Sequence, residues 1–244
     1  MPDSLAGATI RYGGKRTDLA MSPWLRDRVG TAIRLLARML DRGVAAIDSM
    51  GTYNKDSKLP GGAPSPHAHR PPDAIDISGV EWVGGPHIRT LDREAQPELY
   101  WRVEACLRKA GFGIVLGWDY GGDHHNHWHC DWTKGVGYAG RSQTLFVNAA
   151  LDILGYANVL DAQESLGVLV DRVVGPVTLL ALCEAMIQHG APEAVTNRVR
   201  IGRETLFFEE RGGIAWVPLR AFAESLGATV DVLGYPSEIV VVPR

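Results

Sequence analysis

The sequence predicts an α+β protein with a central antiparallel sheet. Two segments, 22–43 and 96–111, carry apolar residues at helical spacing between start and stop signals. Four shorter segments have patterns typical of strands, namely 43–48, 73–79, 112–117 and 123–132. Of the 244 residues 45% are hydrophobic and 22% are charged, which is ordinary for a soluble globular chain.

Local sequence signals support each of these predicted elements. Ser22 suits a helix N-cap, Pro23 suits the first turn, and Gly43 follows the end of the helix. A loop rich in Gly, Pro and Ser occupies residues 54–72. The strand after it carries Asp76 between two isoleucines, and the second helix ends at Gly111.

The chain is predicted to contain three modules, with a glycine-rich linker at 135–140 between the first two. They cover residues 1–138, 141–190 and 195–244. The second module contains helical patterns at 144–154 and 176–187. The third module is predicted to form a β-hairpin, a helix and two short strands.

Composition excludes several classes of protein. A net charge of −3 argues against a broad nucleic-acid surface, and no apolar run reaches the ~18–20 residues of a membrane span. The N-terminus lacks the features of a secretory signal, so we expect folding in the cytoplasm. The three cysteines lie far apart and are predicted to be buried thiols. No obligate protein partner is indicated.

Seven of the eight histidines lie between residues 67 and 129. Within this region His69 precedes Asp76, and His127 and His129 project from one face of a strand. Two histidines and an aspartate with a fourth position open to water make a sound catalytic zinc site. Because a buried carboxylate needs a partner, Asp76 between isoleucines strengthens the metal hypothesis.

Four short motifs carry a family resemblance: Gly51-Thr52-Tyr53-Asn54, Ser65-Pro66-His67-Ala68, Ala74-Ile75-Asp76-Ile77-Ser78-Gly79 and Asn126-His127-Trp128-His129. Over residues 20–135 the chain resembles the extensin-like zinc peptidases related to D-Ala-D-Ala carboxypeptidases, within the LAS class. The resemblance implies Zn²⁺ as cofactor, bacterial peptidoglycan as substrate, Asp76 and His129 as ligands, and His127 as the catalytic histidine.

The first zinc ligand has two candidates. His69 keeps the family's six-residue gap to Asp76 and is favoured, although Pro72 then stands where the family pattern has Gly. His67 keeps the Ser-x-His context but needs a two-residue insertion at Pro71-Pro72. Tyr53 and His125 are further predicted to line the cleft and contact substrate.

The remaining modules resemble two other families. Residues 147–178 are similar to the peptidoglycan-binding type 1 module, with Arg172 in place of its usual Gly. Residues 216–230 are similar to the copper-amine-oxidase N-terminal-like domain. The similarity does not imply copper binding, because residues 195–244 contain no His or Cys. Together these features predict a zinc peptidase of the cell wall, and a phage endolysin that acts after release. The alternative is a wall-binding protein whose metal site is structural or inactive.

Overall fold

The computed structural model describes residues 5–59, 61–136 and 140–190, and the backbone of residues 195–201, 204–211 and 214–216. Contacts along the chain divide it into two compact units, Met1–His189 and Gly190–Arg244.

The first unit is built on a seven-stranded sheet. The strands are β1 (Thr9–Tyr12), β2 (Lys15–Arg16), β3 (Val44–Gly51), β4 (Ile75–Trp82), β5 (His87–Arg89), β6 (Ile114–Leu116) and β7 (Trp128–Asp131). Their order is β2-β1-β3-β4-β7-β6, and β5 pairs with the far half of β4. The α+β class is therefore confirmed.

The sheet is mixed, and the prediction of an antiparallel sheet is wrong at one pair. Strand β1, which the sequence did not predict, lies parallel to β3, with Thr9 opposite Ala46. The helix between these two strands forms the crossover that a parallel pair requires. The other pairs of this sheet are antiparallel.

Two helices, α1 (Pro23–Leu40) and α2 (Pro97–Lys109), cover one face of the sheet. Ser22 caps α1 as predicted, because its hydroxyl accepts the backbone N–H of Leu25 at 3.1 Å. The indole of Trp82 donates to the carbonyl of Leu36 on α1. On the same strands Ile75, Ile77 and Trp128 are almost fully buried, so the core lies between the sheet and these helices.

The segment 141–190 packs against this core. It forms α3 (Arg141–Leu154), α4 (Val159–Ser165) and α5 (Pro176–Gln188). The buried guanidinium of Arg102 donates to the carbonyls of Met186 and Ile187. These helices thus share one compact unit with the sheet, and the division into three sequence modules stays a prediction.

The second unit contains the antiparallel strands β8 (Val195–Ile201), β9 (Glu204–Arg211) and β10 (Ile214–Trp216). Strands β8 and β9 form the predicted hairpin. The helix and final strands predicted over 216–244 lie outside the described residues. Within the described ranges no single helix is long and apolar enough to cross a membrane; α3 and α4 meet these criteria only as a pair bent by 61°.

Candidate metal centre

Two neighbouring strands bring the first two site residues together. Asp76 on β4 and His129 on β7 are direct cross-strand partners. Their side chains point away from the helix-covered face, since Ile75, Ile77, Trp128 and their neighbours fill that face. The Nδ1 atom of His129 lies 3.0 Å from the Oδ1 atom of Asp76.

The third residue is His67, which comes from a 3₁₀ turn over Pro66–Ala68. Its Nε2 atom lies 3.2 Å from Asp76 Oδ1 and 3.1 Å from His129 Nδ1. Its Nδ1 atom donates to the carbonyl oxygen of Thr52 at 2.7 Å. The buried imidazole is therefore fixed at one end by the backbone and directed at the cluster with the other.

The structure corrects the preference for His69 as the first ligand. The His69 imidazole lies beside Asp73, with Nδ1 2.9 Å from Oδ2, and it also faces the ring of Trp132. The loop folds back after the 3₁₀ turn, because the N–H of Asp73 donates to the carbonyl of Pro66. This path turns His69 away from Asp76 and leaves His67, the alternative candidate, in the cluster.

His67, Asp76 and His129 form a group that could hold a metal ion. Zinc bonds of about 2.0–2.1 Å in a tetrahedral arrangement place neighbouring ligand atoms about 3.3 Å apart. The three observed separations of 3.0, 3.1 and 3.2 Å are close to this value. The ligand chemistry and spacing of the residues therefore fit zinc.

A second carboxylate, that of Asp131, binds the nitrogen of His129 that faces away from the cluster. The Nε2 atom of His129 donates to Asp131 Oδ2 at 2.9 Å, while Asp131 Oδ1 accepts the N–H and hydroxyl of Thr133. A carboxylate on the outer nitrogen of a ligand histidine fixes the tautomer and raises the basicity of the inner nitrogen. Thr52 and Asp131 thus direct one nitrogen of each histidine towards the metal position.

The electrostatics of the cluster favour a cation. Burial alone would raise the pKa of Asp76, but its contacts with His129 and His67 hold that pKa well below its usual range. Burial lowers the pKa of His129, yet the contacts with Asp131 and Asp76 outweigh it and raise the pKa to about 9. A proton and a metal ion compete for the same Nδ1 lone pair.

His127 lies next to the cluster, as predicted from its spacing to His129. Its Nδ1 atom donates to Asn126 Oδ1 at 2.8 Å, and its Nε2 atom lies 3.5 Å from Asp76 Oδ1. Burial lowers the pKa of His127 despite the opposing effect of Asp76. The imidazole is therefore neutral at neutral pH and presents an unprotonated Nε2 atom.

The predicted strand over 123–132 begins later than expected, and this moves His125. Residues Gly122–Asn126 form a 3₁₀ turn, so His125 does not share the strand face of His127. Its ring is exposed and packs against Trp118. His124 lines the cleft instead, with its ring 5.3 Å from that of His127.

The cluster opens into a cleft of about 1210 Å³. Tyr53 lies on its wall as predicted, and its hydroxyl accepts two hydrogen bonds from Arg70. Its role in substrate binding stays a prediction. Lys55, Lys58 and Asp123 also line this cleft, so both signs of charge are present around the cluster.

Sequence reasoning missed Asp131, Asn126 and the carbonyl of Thr52. The first had a signal, since His127, His129 and Asp131 keep the same alternation along one strand. Asn126 lies in a turn, and the Thr52 carbonyl is a backbone group. Both residues belong to the motifs that carry the family resemblance, yet no side-chain pattern indicates these two roles.

An α+β unit with a His–Asp–His group in an open cleft defines a class of proteins that could hold a metal ion. The model of one family, the extensin-like protein C-terminus, matches residues 16–140. The chain belongs to this family, and the matched range contains the whole cluster. No curated protein and no solved structure matches the chain.

Proposed function

We propose that this protein is a zinc-dependent peptidase that cleaves peptide bonds of bacterial peptidoglycan. The observation that carries the proposal is the cluster of His67, Asp76 and His129 in an open cleft beside His127. Three protein ligands with one open position are typical of catalytic zinc, whereas structural zinc sites are closed by four.

His67, Asp76 and His129 would hold the ion. Zinc bound there would supply Lewis acidity to a peptide carbonyl and lower the pKa of water to about 7. The neutral His127 would accept a proton from the attacking water at Nε2 and return it to the amine nitrogen that leaves when the peptide C–N bond breaks. Asn126 orients this residue, because its amide oxygen accepts the proton on Nδ1 and leaves Nε2 towards the cleft.

The cleft supports a polymeric substrate. Its volume of about 1210 Å³ exceeds the roughly 300–1,000 Å³ of most small-molecule sites. Peptidoglycan as the polymer is supported by the sequence resemblance to wall peptidases and by the similarity of residues 147–178 to a peptidoglycan-binding module. Family membership is compatible with both a peptidase-related and a cell-wall protein.

The test is digestion of purified cell walls by the zinc-loaded protein, with mass spectrometry of the soluble products. New amino and carboxyl termini within the peptides would support the proposal and identify the bond. Undiminished digestion by both His129→Ala and Asp76→Ala would contradict it. Zinc and wall binding without cleavage would favour the alternative, a wall-binding protein with a structural metal.

The same proposal extends to a phage endolysin, a role favoured by a wall peptidase joined to a segment that resembles a peptidoglycan-binding module. Expression in a bacterial host together with a holin provides the test. Rapid lysis by the parent protein, and none by Asp76→Ala, is the expected result. Lysis by neither protein, when purified walls are digested by the parent, would contradict the endolysin role.

A further inference from the structure

A second concavity lies beside the metal cleft. It has a volume of about 530 Å³ and shares Met50 with the cleft of the metal centre. Ser78, which lines it, lies two residues beyond Asp76 on β4, about 7 Å along the strand. The two concavities are therefore neighbouring parts of the sheet surface opposite the helices.

Asn126 connects this second concavity to the proposed catalytic group. Its side chain lines the concavity, and its amide oxygen lies 2.8 Å from His127 Nδ1. A chain lying in the concavity would contact the residue that orients His127. The concavity is thus one residue away from the proposed catalytic histidine.

The walls of the two concavities hold exposed apolar side chains. Ten large apolar residues are exposed in the described part of the chain, and four of them line these two spaces: Tyr12, Met50, Tyr53 and Leu91. Exposed apolar groups concentrated along one depression mark a binding site. Arg89, which is 57% exposed and paired with Asp92, places a cationic group in the lining of the second concavity.

We infer that the second concavity is a substrate subsite that holds the peptide chain on one side of the cleaved bond. Its occupant is an extended peptide whose apolar groups contact Tyr12 and Leu91 and whose carboxylate lies near Arg89. This inference rests on the proposed function and sharpens it. Space on both sides of the metal position suits cleavage within a chain, whereas removal of a terminal residue needs a site closed at one end.

Peptide binding to the zinc-loaded His127→Ala protein tests the inference by calorimetry, because this variant keeps the three metal ligands and lacks the group proposed to transfer the proton, so the ligand is not consumed. The long ligand is a cross-linked stem-peptide dimer from peptidoglycan, and the short ligand is D-alanyl-D-alanine. We expect Leu91→Ala and Tyr12→Ala each to weaken binding of the dimer about tenfold, because each removes one buried apolar contact. Binding of the short ligand should change less than about twofold.

Val83→Ala is the matched control, since Val83 is also exposed but lines neither concavity. The inference is overturned if the dimer binds no more tightly than the short ligand, or if Val83→Ala weakens it as much as Leu91→Ala does. Self-association that Leu91→Ala abolishes would also overturn it, because the occupant would then be a second copy of the chain.

The two proposals fail separately. Binding of the dimer that depends on Leu91, with no wall peptide cleaved by the parent protein, supports a peptide-binding site at the second concavity and contradicts the peptidase. Cleavage of walls by the parent protein and by Leu91→Ala with equal kcat/KM and equal dimer affinity contradicts the subsite and leaves the peptidase supported.

Discussion

The Nε2 atom of His129 lies 2.9 Å from Oδ2 of Asp131, two residues further along the same strand. Asp131 is buried, and its contacts with His129 and Thr133 outweigh burial and lower the pKa of its carboxyl. The carboxylate is therefore a permanent acceptor at neutral pH. It forces the proton of neutral His129 onto Nε2 and leaves Nδ1 for a metal ion.

Asp131→Asn should weaken zinc binding about 10- to 100-fold, since the amide no longer enforces this tautomer. Competition with a fluorescent chelator measures the affinity, and circular dichroism checks that the variant is folded. Asp123→Asn is the control, because Asp123 is an exposed carboxylate of the same cleft. Equal affinity of the Asp131→Asn and parent proteins would contradict the tautomer argument.

The two candidate first ligands are separated by a pair of alanine variants. His67→Ala should lose stoichiometric zinc binding, because its Nε2 atom is one of the three clustered ligand atoms. His69→Ala should keep it, because that imidazole lies against Asp73 and Trp132. Zinc content after dialysis, measured by atomic absorption, is the readout. Loss of zinc in His69→Ala alone would reverse the assignment.

The residues on strands could be predicted, because strand periodicity fixes which side chains share a face. His129 follows from that rule, as does His127, which is extended and directly precedes β7. Asp76 follows from the cost of burying a carboxylate between isoleucines. The α+β class and the helices α1 and α2 follow from apolar spacing and from caps such as Ser22.

The choice between His67 and His69 could not be predicted, since both lie in a loop whose path depends on distant backbone groups. The carbonyl of Thr52 holds His67, and the hydrogen bond from Asp73 to Pro66 turns the chain back. Likewise, β1 is only four residues long and is stabilised by its pairing with β3. Local strand propensity does not predict pairing between segments that lie far apart in the sequence.

His127→Ala should keep zinc and lose turnover by roughly 10²- to 10⁴-fold, the usual contribution of a positioned general acid–base group. Its Nε2 atom lies 3.5 Å from Asp76 Oδ1, close enough to exchange protons at the metal position without belonging to the ligand cluster.

Release of soluble peptides from cell walls gives the rate, and zinc content is measured on the same sample. His189→Ala, at the end of α5, controls for loss of a histidine elsewhere. Unchanged turnover in His127→Ala would exclude this residue from proton transfer.

Arg172→Gly should stabilise the protein. Arg172 has a φ of 63°, which lies in the left-handed region that favours glycine. That conformation costs an L-residue about 1–2 kcal/mol, and the greater freedom of glycine in the unfolded chain offsets part of the gain. The backbone N–H of Arg172 still donates to Gln163 Oε1 after the change, and its side chain is exposed. We therefore expect the free energy of unfolding to rise by about 0.5–1 kcal/mol and Tm to rise by a few degrees. Arg172→Ala keeps the strain while removing the side chain, so an equal gain in Tm from that variant would show that the backbone conformation is not the cause.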